Sequence, residues 1–250
     1  MMLLPVMALS QNLELVADIN QEALNPNSSG IPEHLVEFNN QIYFSGVQPG
    51  VGRELMTYDG MAVSLVEDID QNASANPKYL TVVGSNLYFI SNALNSSPMK
   101  LMRYDGINAI EEVFDLNASY SDHYPRITSF DGKIYFSAYN SNGNWELRES
   151  DGTGTTQVIY SNPGSASFSS IRGMAVANNQ LYFYADGVGF LNYDGVNAAS
   201  VSPNSTTYSN GVNLLISYND EVYFVADEGT TCYELWKSDG VKAPPLISDI

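Results

Sequence analysis

Large hydrophobic residues fall along this chain in short runs, with polar pairs set between them. The densest runs hold three in a row: Ile42-Tyr43-Phe44, Leu87-Tyr88-Phe89, Ile134-Tyr135-Phe136, Leu181-Tyr182-Phe183 and Val222-Tyr223-Phe224. A short run of aromatic and branched residues bounded by turn residues predicts a strand covered on both faces, not one half exposed to water. Ahead of each run stands a polar pair: Asn39-Asn40, Gly84-Ser85, Asp131-Gly132, Asn178-Asn179 or Asn219-Asp220. Such residues tolerate the positive φ that a type I′ hairpin turn requires. No stretch shows helical periodicity with a cap at each end. The chain reads as all-β.

The runs are periodic. The Tyr-Phe pair recurs at 43, 88, 135, 182 and 223, with spacings of 45, 47, 47 and 41 residues. An Asp-Gly pair keeps step with it at 59, 105, 151, 194 and 239. In the first unit the pattern predicts strands at 34–38, 41–46, 54–58 and 63–69. Four strands in a repeat of about 45 residues is the pattern of a β-propeller, whose four-stranded antiparallel blades cover both faces of their middle strands. The repeats run at about 31–76, 77–124, 125–169, 170–211 and 212–250, within a propeller region 11–250. A leading stretch at 13–19 matches the fourth strand of a repeat. The expectation is therefore a ring of six or more blades that continues past Ile250, with a closed five-bladed ring as the alternative. The fourth unit has the shortest connection between its second and third strands, which predicts a notch there.

The third strand and its turn carry a resemblance. Glu234-Leu235-Trp236-Lys237-Ser238-Asp239-Gly240 and Glu146-Leu147-Arg148-Glu149-Ser150-Asp151-Gly152-Thr153 resemble the ELW-x-x-DGT repeats of bacterial secreted and surface proteins. The likeness extends over 12–250, with Met56, Met102 and Leu191 departing at the Trp position. It implies a repeat protein in an extracellular setting and carries no catalytic residue. Read against its four relatives, Trp236 is expected to be a packing residue.

Charge narrows the partners. The chain has 28 acidic and 10 basic residues, for a net charge of −18. Such a surface repels phosphate backbones and anionic lipid, so nucleic acid is excluded as an expected partner. One cysteine, Cys232, allows no internal disulfide. Residues 1–10 form a short apolar run ending Ala8-Leu9-Ser10, which reads as a partial signal peptide with cleavage after Ser10. It is too short to span a bilayer. A secreted or cell-surface protein without membrane insertion is expected.

Candidate chemistry is sparse. The two histidines, His34 and His123, sit in no metal spacing, and no serine lies in a nucleophile motif. Glu33 and His34, at the start of a first strand, are the only residues to nominate for a hydrolase or lyase at a channel mouth. No cofactor is expected, with calcium at Asp68 and Asp70 as the alternative, because hard cations take carboxylate oxygens beside loops. Six aromatic residues in or beside the longer loops are candidate ligand contacts: Tyr124, Tyr139, Trp145, Tyr184, Tyr208 and Tyr233. Aromatic rings among Asn and Asp suit a glycan or a protein surface. The reading is a non-catalytic binding or adhesion module that presents loops on one propeller face to a glycan or protein. The alternatives are the hydrolase or lyase and a structural spacer in a larger surface protein.

Overall fold

The computed structural model describes residues 30–91, 98–117, 126–162, 170–201, 212–227, 233–239 and 246–248. The signal-like segment 1–10 and the leading strand expected at 13–19 lie outside the described residues.

Five four-stranded sheets follow one another along the chain. The first pairs β1 (Glu33–Phe38), β2 (Gln41–Gln48), β3 (Gly52–Tyr58) and β4 (Val63–Glu67). The second pairs β5 (Lys78–Val83), β6 (Asn86–Ser91), β7 (Lys100–Tyr104) and β8 (Glu111–Asp115). The third holds β9 (Ile127–Phe130), β10 (Lys133–Tyr139), β11 (Trp145–Ser150) and β12 (Thr156–Ser161). The fourth holds β13 (Ile171–Ala177), β14 (Gln180–Ala185), β15 (Gly189–Tyr193) and β16 (Ser200–Val201). The fifth holds β17 (Val212–Tyr218), β18 (Glu221–Asp227), β19 (Tyr233–Ser238) and β20 (Leu246–Ser248). Every sheet is an antiparallel meander in sequence order. The protein is a β-propeller of four-stranded blades.

Turn chemistry sets the hairpins. Both central residues have positive φ in Asn39-Asn40, Asp131-Gly132, Asn178-Asn179 and Asn219-Asp220. In Gly84-Ser85 only the glycine does, at 57°, which is the type II′ arrangement in place of the expected type I′. The Asp-Gly pairs close the third and fourth strands differently. Asp59 accepts hydrogen bonds from the amides of Met61 and Ala62, both at 2.8 Å, and Asp105 does the same for Ile107 and Asn108. These are Asx turns, and the glycine that follows takes the positive φ: 97° at Gly60 and 88° at Gly106.

The sheets stack through their middle strands. Where a neighbouring sheet is present, the strand shows its Tyr to the following sheet and its Phe to the preceding one. Tyr43 meets Tyr104 at 6.0 Å, Phe136 meets Phe114 at 5.4 Å, Phe183 meets Tyr160 at 5.6 Å and Phe224 meets Phe190 at 4.5 Å between ring centroids. Leu55, Leu101 and Leu147 of the third strands are fully buried in the same layers. Burying each such side chain contributes roughly 1.5–3 kcal/mol, so the inter-sheet layers are the core. The first strands, β1, β5, β9, β13 and β17, touch one another in succession and form the inner rank.

The end sheets differ. Ile42 is 39% exposed, whereas its counterparts Leu87, Ile134 and Leu181 are fully buried. On the far side of the fifth sheet Ile216 and Tyr218 are each 62% exposed, on the face that internal sheets cover.

Candidate binding site at the inner-strand rim

Alternating strand direction gathers two sets of groups at one end of every blade. These are the starts of the inner strands and the connections between second and third strands. In the first blade the strands run on to Gln48 and from Gly52, further than the expected 46 and 54. The connection at 49–51 is then as short as the one at 186–188, so the fourth blade has no special notch. A shallow groove of about 460 Å³ instead opens in the first blade, between residues 47–52 and 71–74.

Beneath that groove sits Glu54, fully buried. Its carboxylate accepts from the amides of Ala75 at 2.8 Å and Ile69 at 3.2 Å, which ties the loop after β4 to the sheet. Burial outweighs those two donors, and with Asp68 and Asp70 nearby it pushes the Glu54 carboxyl up to about 7. Asp70 accepts from Asn72 N at 3.1 Å, while Oδ1 of Asp68 is buried without a hydrogen-bond partner among the described residues. No group of three or more His, Cys, Asp or Glu side chains converges as metal ligands among the described residues. The calcium alternative at Asp68 and Asp70 thus meets a pair of carboxylates and no cage, because the third acid, Glu54, is turned to backbone amides.

The expected aromatic contacts separate sharply. Trp145, 2% exposed, packs edge-on against Tyr139 at 4.8 Å, and Tyr184 is fully enclosed against Phe190 at 5.3 Å. Neither ring can stack on a ligand. Both were expected in loops, but each lies in a strand, β11 and β14, whose faces are covered by neighbouring sheets. Tyr139 is half-buried and Tyr233 is exposed at the start of β19. Tyr124 and Tyr208 lie outside the described residues. Trp236 is buried, and its indole Nε1 donates to the carbonyl of Ala226 at 3.2 Å.

The structure brings together a group that the sequence pattern does not mark. Four inner strands break register at their second or third residue, between Glu33 and Val36, Lys78 and Thr81, Arg172 and Met174, and Asn213 and Leu215. At each bulge one residue is left-handed: His34 (φ 56°), Tyr79 (57°), Gly173 (54°) and Leu214 (52°). Only glycine adopts this conformation without strain, and elsewhere it costs about 1–2 kcal/mol. Strained backbone of this kind concentrates at functional sites. By register the matching residue of the third sheet is Arg126. Its amide donates to Ser137 Oγ at 2.9 Å, and its carbonyl accepts from Ser137 N at 3.0 Å.

These residues meet across blades. The His34 ring lies 5.6 Å from the Tyr79 ring, and Arg126 donates through Nη1 to the Tyr79 hydroxyl at 2.7 Å. The guanidinium carbon stands 5.4 Å from the Tyr79 ring centre. Partial burial holds His34 below the usual imidazole range; Lys78 and Arg53 push the same way, against Glu33. Glu33, the other nominated catalytic residue, pairs with Arg53 at 3.4 Å. Arg53 in turn donates to the carbonyl of Ile31 at 2.9 Å. Among the described residues His34 has no hydrogen bond to a serine or cysteine. Among the described residues the rim therefore brings together aromatic rings, an imidazole and cationic donors. Sequence reasoning reached Glu33 and His34 but missed Tyr79 and Arg126. The available signal was basic residues at the inner-strand starts, Lys78, Arg126 and Arg172, in so acidic a chain.

The sequence matches no protein-family model and no curated protein. Among solved structures it is similar to a puromycin-hydrolysing peptidase of Mycobacterium tuberculosis, 12% identical, with a TM-score of 0.59 over 87% of this chain and 38% of that one. It is similar also to a puromycin hydrolase, 15% identical, with a TM-score of 0.56 over 88% of this chain and 37% of the other. The chain thus spans less than two-fifths of either hydrolase. A fungal fucose-recognising lectin from Aleuria aurantia with a six-bladed β-propeller fold aligns over 87% of this chain and 77% of its own, at 11% identity and a TM-score of 0.48. At these identities the likeness to the two hydrolases is one of fold alone.

Proposed function

We propose that this protein is a non-catalytic extracellular binding module whose ligand, a glycan or a protein, docks at the rim formed by the starts of the inner strands. The observation that supports the reading is the set of left-handed residues His34 and Tyr79, strained at the rim and meeting Arg126 across three blades. Nothing in local packing needs a non-glycine residue at those φ values, because Gly173 fills the same position in the fourth blade. Rigid sheets beneath hold the group in place, which lowers the entropy lost on binding. The secreted setting rests on the apolar segment 1–10 and on the ELW-x-x-DGT-like repeats.

A glycan array and a panel of ester, peptide and glycoside substrates test the proposal together. The expected result is saturable binding without turnover, weakened in His34→Gly and Tyr79→Gly; the first keeps or raises the melting temperature, because His34 is exposed, and the second lowers it, because Tyr79 packs on the core. Turnover abolished by Glu33→Gln or His34→Gln would replace the binding reading with a hydrolytic one. Binding untouched by both glycine variants would move the site off the rim.

A further inference from the structure

The identity of the ligand follows from the pairing of the arginines, an inference that rests on the binding reading above. The chain contains five arginines among 28 acidic residues. Four of them pair with carboxylates: Arg53 with Glu33, Arg103 with Glu111, Arg148 with Glu146 and Arg172 with Asp186. Arg126 meets no carboxylate among the described residues. Its side chain is held instead by the Tyr79 hydroxyl and lies half-buried beside the Tyr79 ring.

We infer that Arg126 is the anchor for a carboxylate-bearing sugar, a hexuronic-acid type of ligand, with the packed Tyr79 and His34 rings beside the sugar ring. The chemistry is specific. A guanidinium carries five N–H donors in a planar fork, and one bond to Tyr79 leaves an edge for a bidentate carboxylate. The Tyr79 and His34 rings pack against each other, 5.6 Å between centroids and tilted by 50°, and together form an apolar surface beside the guanidinium on which the C–H face of a pyranose can lie. Lys78 precedes Tyr79 in the same strand and adds a second positive charge at this rim. The overall charge of −18 sets the limit on the ligand: a polyanion such as a nucleic acid is repelled, whereas a singly charged sugar meets mainly the local cations.

The test is calorimetric titration of the whole chain with the methyl glycosides of galacturonic and glucuronic acid, each singly charged, and with the neutral methyl galactoside and glucoside, near physiological salt. An acidic-over-neutral preference of about tenfold or more is expected, given charge-assisted bidentate binding. Arg126→Gln should abolish that preference while the backbone bonds to Ser137 hold the strand in place. Arg126→Lys, which keeps the charge and loses the fork, should retain only part of it and covers the case in which the Gln variant misfolds. Equal affinity for acidic and neutral sugars, or a preference that survives both substitutions, overturns the inference and leaves the binding module intact. Failure of every acidic sugar while other ligands bind at the rim overturns it equally. Absence of any rim-dependent ligand defeats the broader reading instead.

Discussion

Glu54 shows how one residue's environment sets a measurable property. It is fully buried and bonded to two backbone amides, yet its carboxyl is raised to about 7 from an ordinary 4.5. The unfolded chain therefore releases this proton at lower pH than the folded one. The stabilisation from the neutral form is complete below about pH 4.5 and is lost as pH rises through about 7. A shift of that size corresponds to about 3 kcal/mol. Chemical denaturation at pH 5 and pH 8 should show the loss, and Glu54→Gln should flatten the slope between them. The Asx-turn carboxylates run the other way. Amide donors hold Asp105 and Asp194 near 2, so their contribution is present above the usual carboxylate range and disappears as pH falls towards 2. The same contrast governs the aromatic residues: Trp145 and Tyr233 read alike as loop aromatics, but one is walled in by the neighbouring sheets and the other faces water.

The inner-strand bulge is the element in which strain and site coincide. Replacing Gly173 by Ala forces a side chain onto a left-handed backbone and brings its Cβ to 2.5 Å from Leu215 Cδ1, so the variant should lose about 1–3 kcal/mol. Leu214→Gly does the reverse: the leucine is exposed, its burial contributes little, and relief of strain should gain up to about 1 kcal/mol. Thermal melts of the two variants check both signs. If Leu214→Gly is strongly destabilising, the bulge is not strained as described. The hairpin turns at the opposite ends of these strands were readable from the sequence, since Asn, Asp and Gly declare positive φ locally. The bulges were not. A register break appears only when both paired strands are known, and His, Tyr and Leu carry no local sign of a left-handed backbone.

Across the whole molecule, position in the stack decides the worth of a side chain. Leu147 and Leu235 are equivalent residues of the third strand, in the third and fifth blades. The first is fully buried between sheets and the second is half-buried. Leu147→Ala should cost about 2–5 kcal/mol and Leu235→Ala well under half of that, as read from denaturant midpoints. Equal losses would mean that the outer face of the fifth blade is covered in solution. The same logic makes Tyr135, buried and donating to Glu149 at 2.7 Å, dearer than Tyr223 of the fifth blade, which makes the like bond to Glu221 at 3.0 Å beside solvent.

By itself the sequence determined the repeat, the four-stranded unit, the turn positions and the two-sided burial of the middle strands in the second, third and fourth sheets. All of these follow from interactions within a few residues or from a period that recurs five times. It also determined the net charge of −18. Only the tertiary structure decided which aromatics are enclosed, how Glu54 is bonded and how the rim is composed. His34, Tyr79 and Arg126 come from three different blades, some 45 residues apart, and nothing in their local sequence links them. Their meeting is a product of stacking. Equivalent positions of successive repeats are brought side by side around the axis, so a site assembles from residues that no single repeat contains.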